Sequence, residues 1–135
     1  MIALSKSMEV GVSKIDTQHK ELIDRINAVS AMGLKAASRE ETQKTLDLLG
    51  AYIIKHFSDE EALQKQSNYS KYEWHKGQHA SYIAEFNKLK NEFTANGHSP
   101  MFTLTMNNSI INWIVKHIKS ADVELGKHLK SKGIF

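Results

Sequence analysis

The chain has 135 residues, 41% apolar and 24% charged, with 18 basic and 15 acidic side chains. That suits one domain with a core of its own and is too short for two. The absence of cysteine excludes disulfides, thiolate metal sites, iron–sulfur clusters and cysteine nucleophiles. A net charge of +3 gives no argument for a nucleic-acid partner, and none is expected. No run approaches the roughly 18 apolar residues that a membrane helix needs. Lys6 and Glu9 interrupt the region where a signal peptide would carry its apolar stretch. A cytoplasmic protein without a membrane partner is expected.

With one proline and seven glycines, the chain has few breakers, and its caps divide it into helices. A short arm spans 1–12. Ser13, three residues before Asp16, reads as the cap of a helix over about 13–37. Ser38 with Glu41 has capping-box spacing and opens a second helix, about 39–66. Ser70 with Glu73 repeats that spacing before a third, about 70–95. Asn96-Gly97 is a turn dipeptide, and Ser99-Pro100 sets a cap before a first-turn proline, opening a fourth helix over about 100–131. The connections are a few residues each. All-α architecture follows, as an up-down-up-down antiparallel four-helix bundle.

Apolar residues recur at spacings of three and four on every helix: Leu22, Ile26 and Val29; Leu46, Leu49, Ile53 and Leu63; Tyr82, Phe86, Leu89 and Phe93; Ile110, Ile114, Ala121 and Leu125. Polar residues share these inward stripes: His19, His56, Glu60, His75, His79 and His117. A single core histidine is ordinarily a hydrogen-bonded packing residue. Six polar groups on four helices are not explained that way, because each costs several kcal/mol to bury without a partner. His56 to Glu60 and His75 to His79 are i,i+4 pairs, which share a helix face. His117 to Asp122 is i,i+5, about 140° apart on a regular helix, so Asp122 joins the stripe only through a side reach or a local π-type turn.

In an up-down bundle, one end gathers the starts of helices one and three and the ends of helices two and four. Most of these side chains fall roughly 8–15 Å from that end, with His117 deeper. Five imidazoles and two carboxylates exceed the needs of one tetrahedral zinc. Their nitrogen and oxygen donors suit iron, manganese or zinc. A two-metal site fits the count. With both carboxylates and one hydroxide or oxide bridging two six-coordinate metals, one position stays open for a small ligand.

These residues carry a family resemblance. Ile15-Asp16-Thr17-Gln18-His19-Lys20, His56-Phe57-Ser58-Asp59-Glu60-Glu61, His75 with His79, and Trp113-Ile114-Val115-Lys116-His117-Ile118 followed by Asp122 resemble the hemerythrins, specifically the single-domain bacteriohemerythrins. The resemblance implies reversible binding of dioxygen at two non-haem iron ions, Fe2+ or Fe3+, with a bridging oxo or hydroxo group. It implies that His75, His79 and His117 hold one iron, that His19 and His56 hold the second, whose open position takes oxygen, and that Glu60 and Asp122 bridge them. Leu22, Ile53, Phe57, Trp113 and Ile114, three or four positions from ligands or beside them, are expected to line the oxygen pocket. Related sequences usually carry a tryptophan shortly before the Val-Gly of the arm; here that stretch reads Ser7-Met8-Glu9-Val10-Gly11.

Other polar residues read as bystanders. His98 is expected in a surface loop. His128 is expected in packing or helix-end electrostatics, and Glu61 at an angle facing solvent. Lys116, Lys119, Lys127 and Lys130 form a solvated face of helix four. Gly77, inside helix three, costs about 1 kcal/mol of helix propensity without an evident return. The leading function is an oxygen carrier, store or scavenger, not an enzyme, and monomeric. The alternatives are a di-iron oxidase, a peroxidase, a nitric-oxide-handling enzyme, or an oxygen-sensing or iron-holding module.

Overall fold

Four long helices follow one another with short connections: α1 (Ser13–Leu34), α2 (Arg39–Gln66), α3 (Tyr72–Asn96) and α4 (100–131). The structure, a computed structural model, describes residues 2–35 and 37–135. Met1 of the expected arm, and Ala36 within the expected reach of the first helix, lie outside the described residues. No strand occurs among the described residues, and α1 packs on α2, α2 on α3, and α3 on α4.

Two of the four caps stand where the sequence places them. The Ser38 hydroxyl accepts the Glu41 N–H at 3.1 Å, and the Ser99 hydroxyl accepts that of Phe102 at 3.1 Å, with Pro100 in the first turn. Each satisfies one of the orphan donors of a helix start. The other two differ. Ser13 is itself the first helical residue, preceded by extended Val12 with no side-chain cap. The nearby carboxylate of Asp16 turns toward the arm instead and accepts the N–H groups of Val10 at 2.9 Å and Gly11 at 3.2 Å. Ser70 lies in a tight turn, where Tyr69 donates its N–H to the Gln64 carbonyl and Asn68 takes φ +57°; α3 starts only at Tyr72.

α4 is a single rod whose winding changes twice. Between regular α-helical stretches it widens to π-helical turns at Met106–Ile111 and Ile118–Asp122. Such turns shift the register of everything that follows. In the first, the Tyr82 hydroxyl of α3 donates to the Ile110 carbonyl at 3.1 Å. The second begins one residue after His117 and ends on Asp122.

Two apolar clusters fill the bundle. The larger includes Leu22, Ile26 and Val29 of α1, Leu46, Leu49, Ile53 and Phe57 of α2, Tyr82, Phe86, Leu89 and Phe93 of α3, and Ile110, Ile114 and Ile118 of α4. The smaller joins Val10 and Val12 of the arm to Ile15, Tyr69, Leu125 and Leu129. The inward histidines and carboxylates occupy the level between the two. The arm closes this end: Lys6–Met8 forms a 3-10 turn against the second wide turn of α4, and Met8 is buried in the larger cluster. Farther out, Asn27 exchanges two hydrogen bonds with the Ile2 backbone, at 2.9 and 2.7 Å.

The arm's path explains one glycine. A methyl at Gly126 would run into the Val10 carbonyl oxygen, so α4 can carry no side chain where the arm crosses it. Gly77 is the opposite case, since a Cβ there meets nothing within 4 Å. Chemical unfolding should therefore separate the two: Gly126→Ala is expected to destabilise by roughly 1–3 kcal/mol by forcing the arm off α4. Gly77→Ala is expected to stabilise by about 1 kcal/mol. The same sign for both would contradict this packing.

Candidate metal centre

Each helix delivers its polar residues to one level: His19 from α1, His56 and Glu60 from α2, His75 and His79 from α3, His117 and Asp122 from α4. All seven are buried, none more than 3% exposed. The i,i+4 pairs of α2 and α3 need only regular helix. Asp122 needs the second wide turn, which brings it onto the same side of α4 as His117, five residues back. Asp122 therefore faces the centre by a change of winding.

The carboxylates sit between two groups of imidazoles. Glu60 turns Oε2 toward His56 Nε2 at 3.0 Å and His19 Nε2 at 3.3 Å, while its Oε1 faces His79 Nε2 at 3.2 Å and His75 Nε2 at 3.6 Å. Asp122 does the same from the other side. Its Oδ2 is 3.0 Å from His19 Nε2, and its Oδ1 is 3.0 Å from His75 and 3.2 Å from His117. Two nests result, one of Glu60, His75, His79, His117 and Asp122, the other of His19, His56, Glu60 and Asp122, with donor atoms within 4.8 Å of one another in each. Each carboxylate gives one oxygen to each nest.

Many of these close contacts are not hydrogen bonds. His56 Nε2, His79 Nε2, Glu60 Oε1 and both Asp122 oxygens are buried without a hydrogen-bond partner. Buried polar atoms are rarely left so. Imidazole nitrogens and carboxylate oxygens that converge on common points without bonding one another fit cations at those points. Nitrogen and oxygen donors without sulfur suit iron. The donor set thus fits two metal ions, five donors on one side and four on the other.

Outside the nests, the second ring nitrogens of His56, His79 and His117 are held by Gln18 and Gln78, which sequence reasoning did not assign a role, and by Glu61, which it expected toward solvent. The Gln18 amide donates from Nε2 to Asp59 at 2.7 Å, which leaves its Oε1 to accept from His56 Nδ1–H at 2.9 Å. That fixes the tautomer of His56 with Nε2 unprotonated and facing inward. Gln18 in turn holds the Asp59 carboxyl below its ordinary range, with Lys55 and Lys14 adding to the effect. Gln78 Oε1 stands 3.3 Å from His117 Nδ1. Glu61, expected toward solvent, bends inward so that its Oε2 accepts from His79 Nδ1 at 2.8 Å. Its backbone angle does point outward, but the outer nitrogen of His79 lies within reach of its long side chain. Each of the three is next in sequence to a proposed ligand, and each supports a ligand on the following helix.

The remaining residues singled out in the sequence lie elsewhere. His128 places Nε2 3.1 Å from the Ser67 carbonyl and hydroxyl, at the end of α2. His98 is exposed, with Nε2 3.0 Å from the Thr42 hydroxyl. Lys116, Lys119, Lys127 and Lys130 are exposed. Phe57 stacks on His79 with centroids 3.8 Å apart, and Trp113 stacks on His117 at 4.7 Å and 14°.

Without metal, His19 holds a proton at neutral pH. Burial alone would lower its pKa, but the Asp122 and Glu60 carboxylates close beside it prevail and raise it from 6.5 to about 10. The contribution to stability is present below pH 6.5 and is lost as pH rises through about 10. A metal must displace that proton, so divalent-metal binding to the metal-free chain at pH 7 is expected to release protons and to tighten as pH rises. Calorimetry in buffers of different ionisation enthalpy measures the release. Binding with no proton release would contradict the charged state of His19.

Comparison with known proteins agrees with this geometry. Residues 10–129 match the family described as the hemerythrin HHE cation binding domain. The chain is 28% identical over 116 residues to a bacteriohemerythrin of Methylococcus capsulatus, covering 86% of each. It is 28% identical to a myohemerythrin of Sipunculus nudus, over 87% of this chain and 84% of that one. A hemerythrin-like protein of Naegleria gruberi is 30% identical over 85% of this chain and 82% of its own length. The crystal structure of wild-type hemerythrin superposes with a TM-score of 0.83 at 27% identity, covering 96% of this chain and 97% of that one. With the bundle, the paired nests and the match over nearly the whole chain in agreement, this protein belongs to the hemerythrin family.

Proposed function

We propose that the protein binds dioxygen reversibly at two iron ions joined by a bridging oxo or hydroxo group, as a carrier, store or scavenger. The observation that carries this reading is the unequal donor count of the two nests. His75, His79 and His117 with one oxygen from each carboxylate give five donors; His19 and His56 with the other two oxygens give four. A group bridging both metals would complete six at the first and leave the second one short. That open position, on the His19 and His56 side, is where a small ligand would bind. The iron pair, when bound, supplies two electrons to dioxygen and takes them back on release.

The chain's own residues serve retention and return. Neutral histidines outnumber carboxylates five to two in the proposed ligand set, so the site favours ferric iron less than a carboxylate-rich one would, and oxygen is more easily returned. Glu61, Gln18 and Gln78 fix ring orientation. Leu22, Ile53, Phe57 and Ile114 are buried in the larger cluster and, with Trp113 against His117, form an apolar wall that keeps water and protons from the open position. Among the described residues no helix is long and apolar enough to cross a membrane. The four helices close their core among themselves, which supports a monomer; sedimentation at micromolar concentration tests it.

The function is tested optically. Anaerobic, reduced, iron-loaded protein should gain a visible absorption band when oxygen is admitted and lose it when oxygen is removed, over repeated cycles. Steady oxygen consumption with a reductant, and no reversible band, would make the protein an oxidase instead. His117→Ala removes one of five donors from its nest, and iron content should drop toward one per chain or none. Two retained irons would contradict its assignment.

A further inference from the structure

Both tryptophans of the chain line one surface groove between α3 and α4. The groove, about 360 Å³, is bounded by Glu73, Trp74, Gly77, Gln78, Ser81 and Trp113. A second hollow continues it past Trp113 and Ser81 to Glu85. Gly77 keeps it open: nothing lies within 4 Å of where its side chain would start, and any longer side chain would stand in the groove. The packing of the chain itself does not require glycine there, so the opening is a feature in its own right.

The groove reaches the centre through one ring. Trp113 is partly exposed to the groove and lies nearly parallel on His117, which also holds Gln78 on its outer nitrogen. Phe57 stacks still closer on a ligand, His79, but is 2% exposed and does not reach the surface. Trp74 is exposed but meets His75 edge-on at 6.1 Å. Trp113 is thus the ring that has both a stacked contact with a proposed ligand and an exposed edge.

The lining also selects by charge. Glu73 and Glu85 border it, and neither lysine nor arginine is among the residues that line it. The face of an indole attracts cations, and Lys71 Nζ already stands 5.9 Å from the Trp74 ring. Two indoles, two carboxylates and an open helix backbone suit a flat aromatic cation.

We propose that this groove is the port through which electrons reach the centre, by way of Trp113 and His117, from a cationic, planar aromatic one-electron donor. The inference rests on reading the centre as a redox-active iron pair. Such a pair, once both ions are ferric and no oxygen is bound, regains the oxygen-binding state only by gaining two electrons. Two donor molecules each lose one electron and two ferric ions become ferrous; no bond in the chain is made or broken, and Trp113 ends unchanged.

The probe is methyl viologen, an aromatic dication whose one-electron-reduced radical cation is planar and is the donor. With zinc-loaded, redox-silent protein, viologen dication should quench the fluorescence of both indoles. Gly77→Leu, at an exposed helical position that tolerates leucine, should weaken that quenching. In stopped flow, the radical cation should reduce the oxidised iron-loaded protein at a rate that falls about tenfold or more from low to high ionic strength. Gly77→Leu should slow the reduction by about tenfold and leave reversible oxygen binding unchanged. Glu73→Gln combined with Glu85→Gln should flatten the salt dependence. Equal quenching and equal reduction rates in wild type and Gly77→Leu would overturn the port alone. Quenching lost in Gly77→Leu, with no electron accepted by iron-loaded wild type, would overturn the redox reading of the centre and the port with it.

Discussion

Five imidazoles and two carboxylates, shut off from water at one level of a helical bundle, set the terms for everything else in this protein. Burying one such group without a partner costs several kcal/mol. Here the groups face one another without hydrogen-bonding geometry at most of their contacts, so the side chains alone do not satisfy the layer. Metal ions do, and they turn the most expensive level of the core into the one that joins all four helices. The apolar clusters on either side are arranged accordingly. All four helices contribute to the larger cluster, α1 and α4 also to the smaller one, and the arm, with Met8 buried, closes the end nearest the centre.

One register change follows from that demand. Regular winding would leave Asp122 about 140° from His117. The wide turn at Ile118–Asp122 removes the mismatch, and the arm's own 3-10 turn packs against it. Gly126, three residues beyond Val123, lets the Val10 backbone cross α4. The inward carboxylate of Asp122, a wide turn and a glycine thus form one device, in which the arm backs the segment that presents Asp122.

The bundle and six of the seven inward residues, all but Asp122, were legible in the sequence because they obey helical periodicity, a property of spacing alone. So were the caps at Ser38 and Ser99, where serine precedes a helix with no competing use of the first turn. Ser13 and Ser70 failed as caps for tertiary reasons: Asp16 is engaged by the arm, and the turn at Asn68 postpones α3. The winding of α4 was legible only as a condition on Asp122, and the first wide turn, at Met106–Ile111, not at all. Glu61 was expected toward solvent, and Gln18 and Gln78 were given no role, because angular position treats a side chain as a point. Long polar side chains beside a proposed ligand reach sideways, and here each reaches a histidine of the layer on the next helix, from α1 to α2, α2 to α3 and α3 to α4. Adjacency to a proposed ligand was the signal available.

The two halves of the centre differ in a way that organises the whole surface. The five-donor half lies on the α3 and α4 side, where Trp113, Gln78 and Glu61 support its histidines and where the open groove adjoins it. The four-donor half is completed by α1 and α2, where His56 is tied through Gln18 to Asp59, and Leu22 and Ile53 are fully enclosed. In the proposed reading, a gas molecule of small size and no charge is handled at the enclosed half, and electrons at the half one indole away from the surface. Keeping the two apart lets the oxygen side stay dry and apolar, which slows the proton entry that would strand the iron pair in its oxidised state. It also means that a bulky donor meets only the outer edge of Trp113, while Leu22, Ile53, Phe57 and Ile114 stay buried behind it.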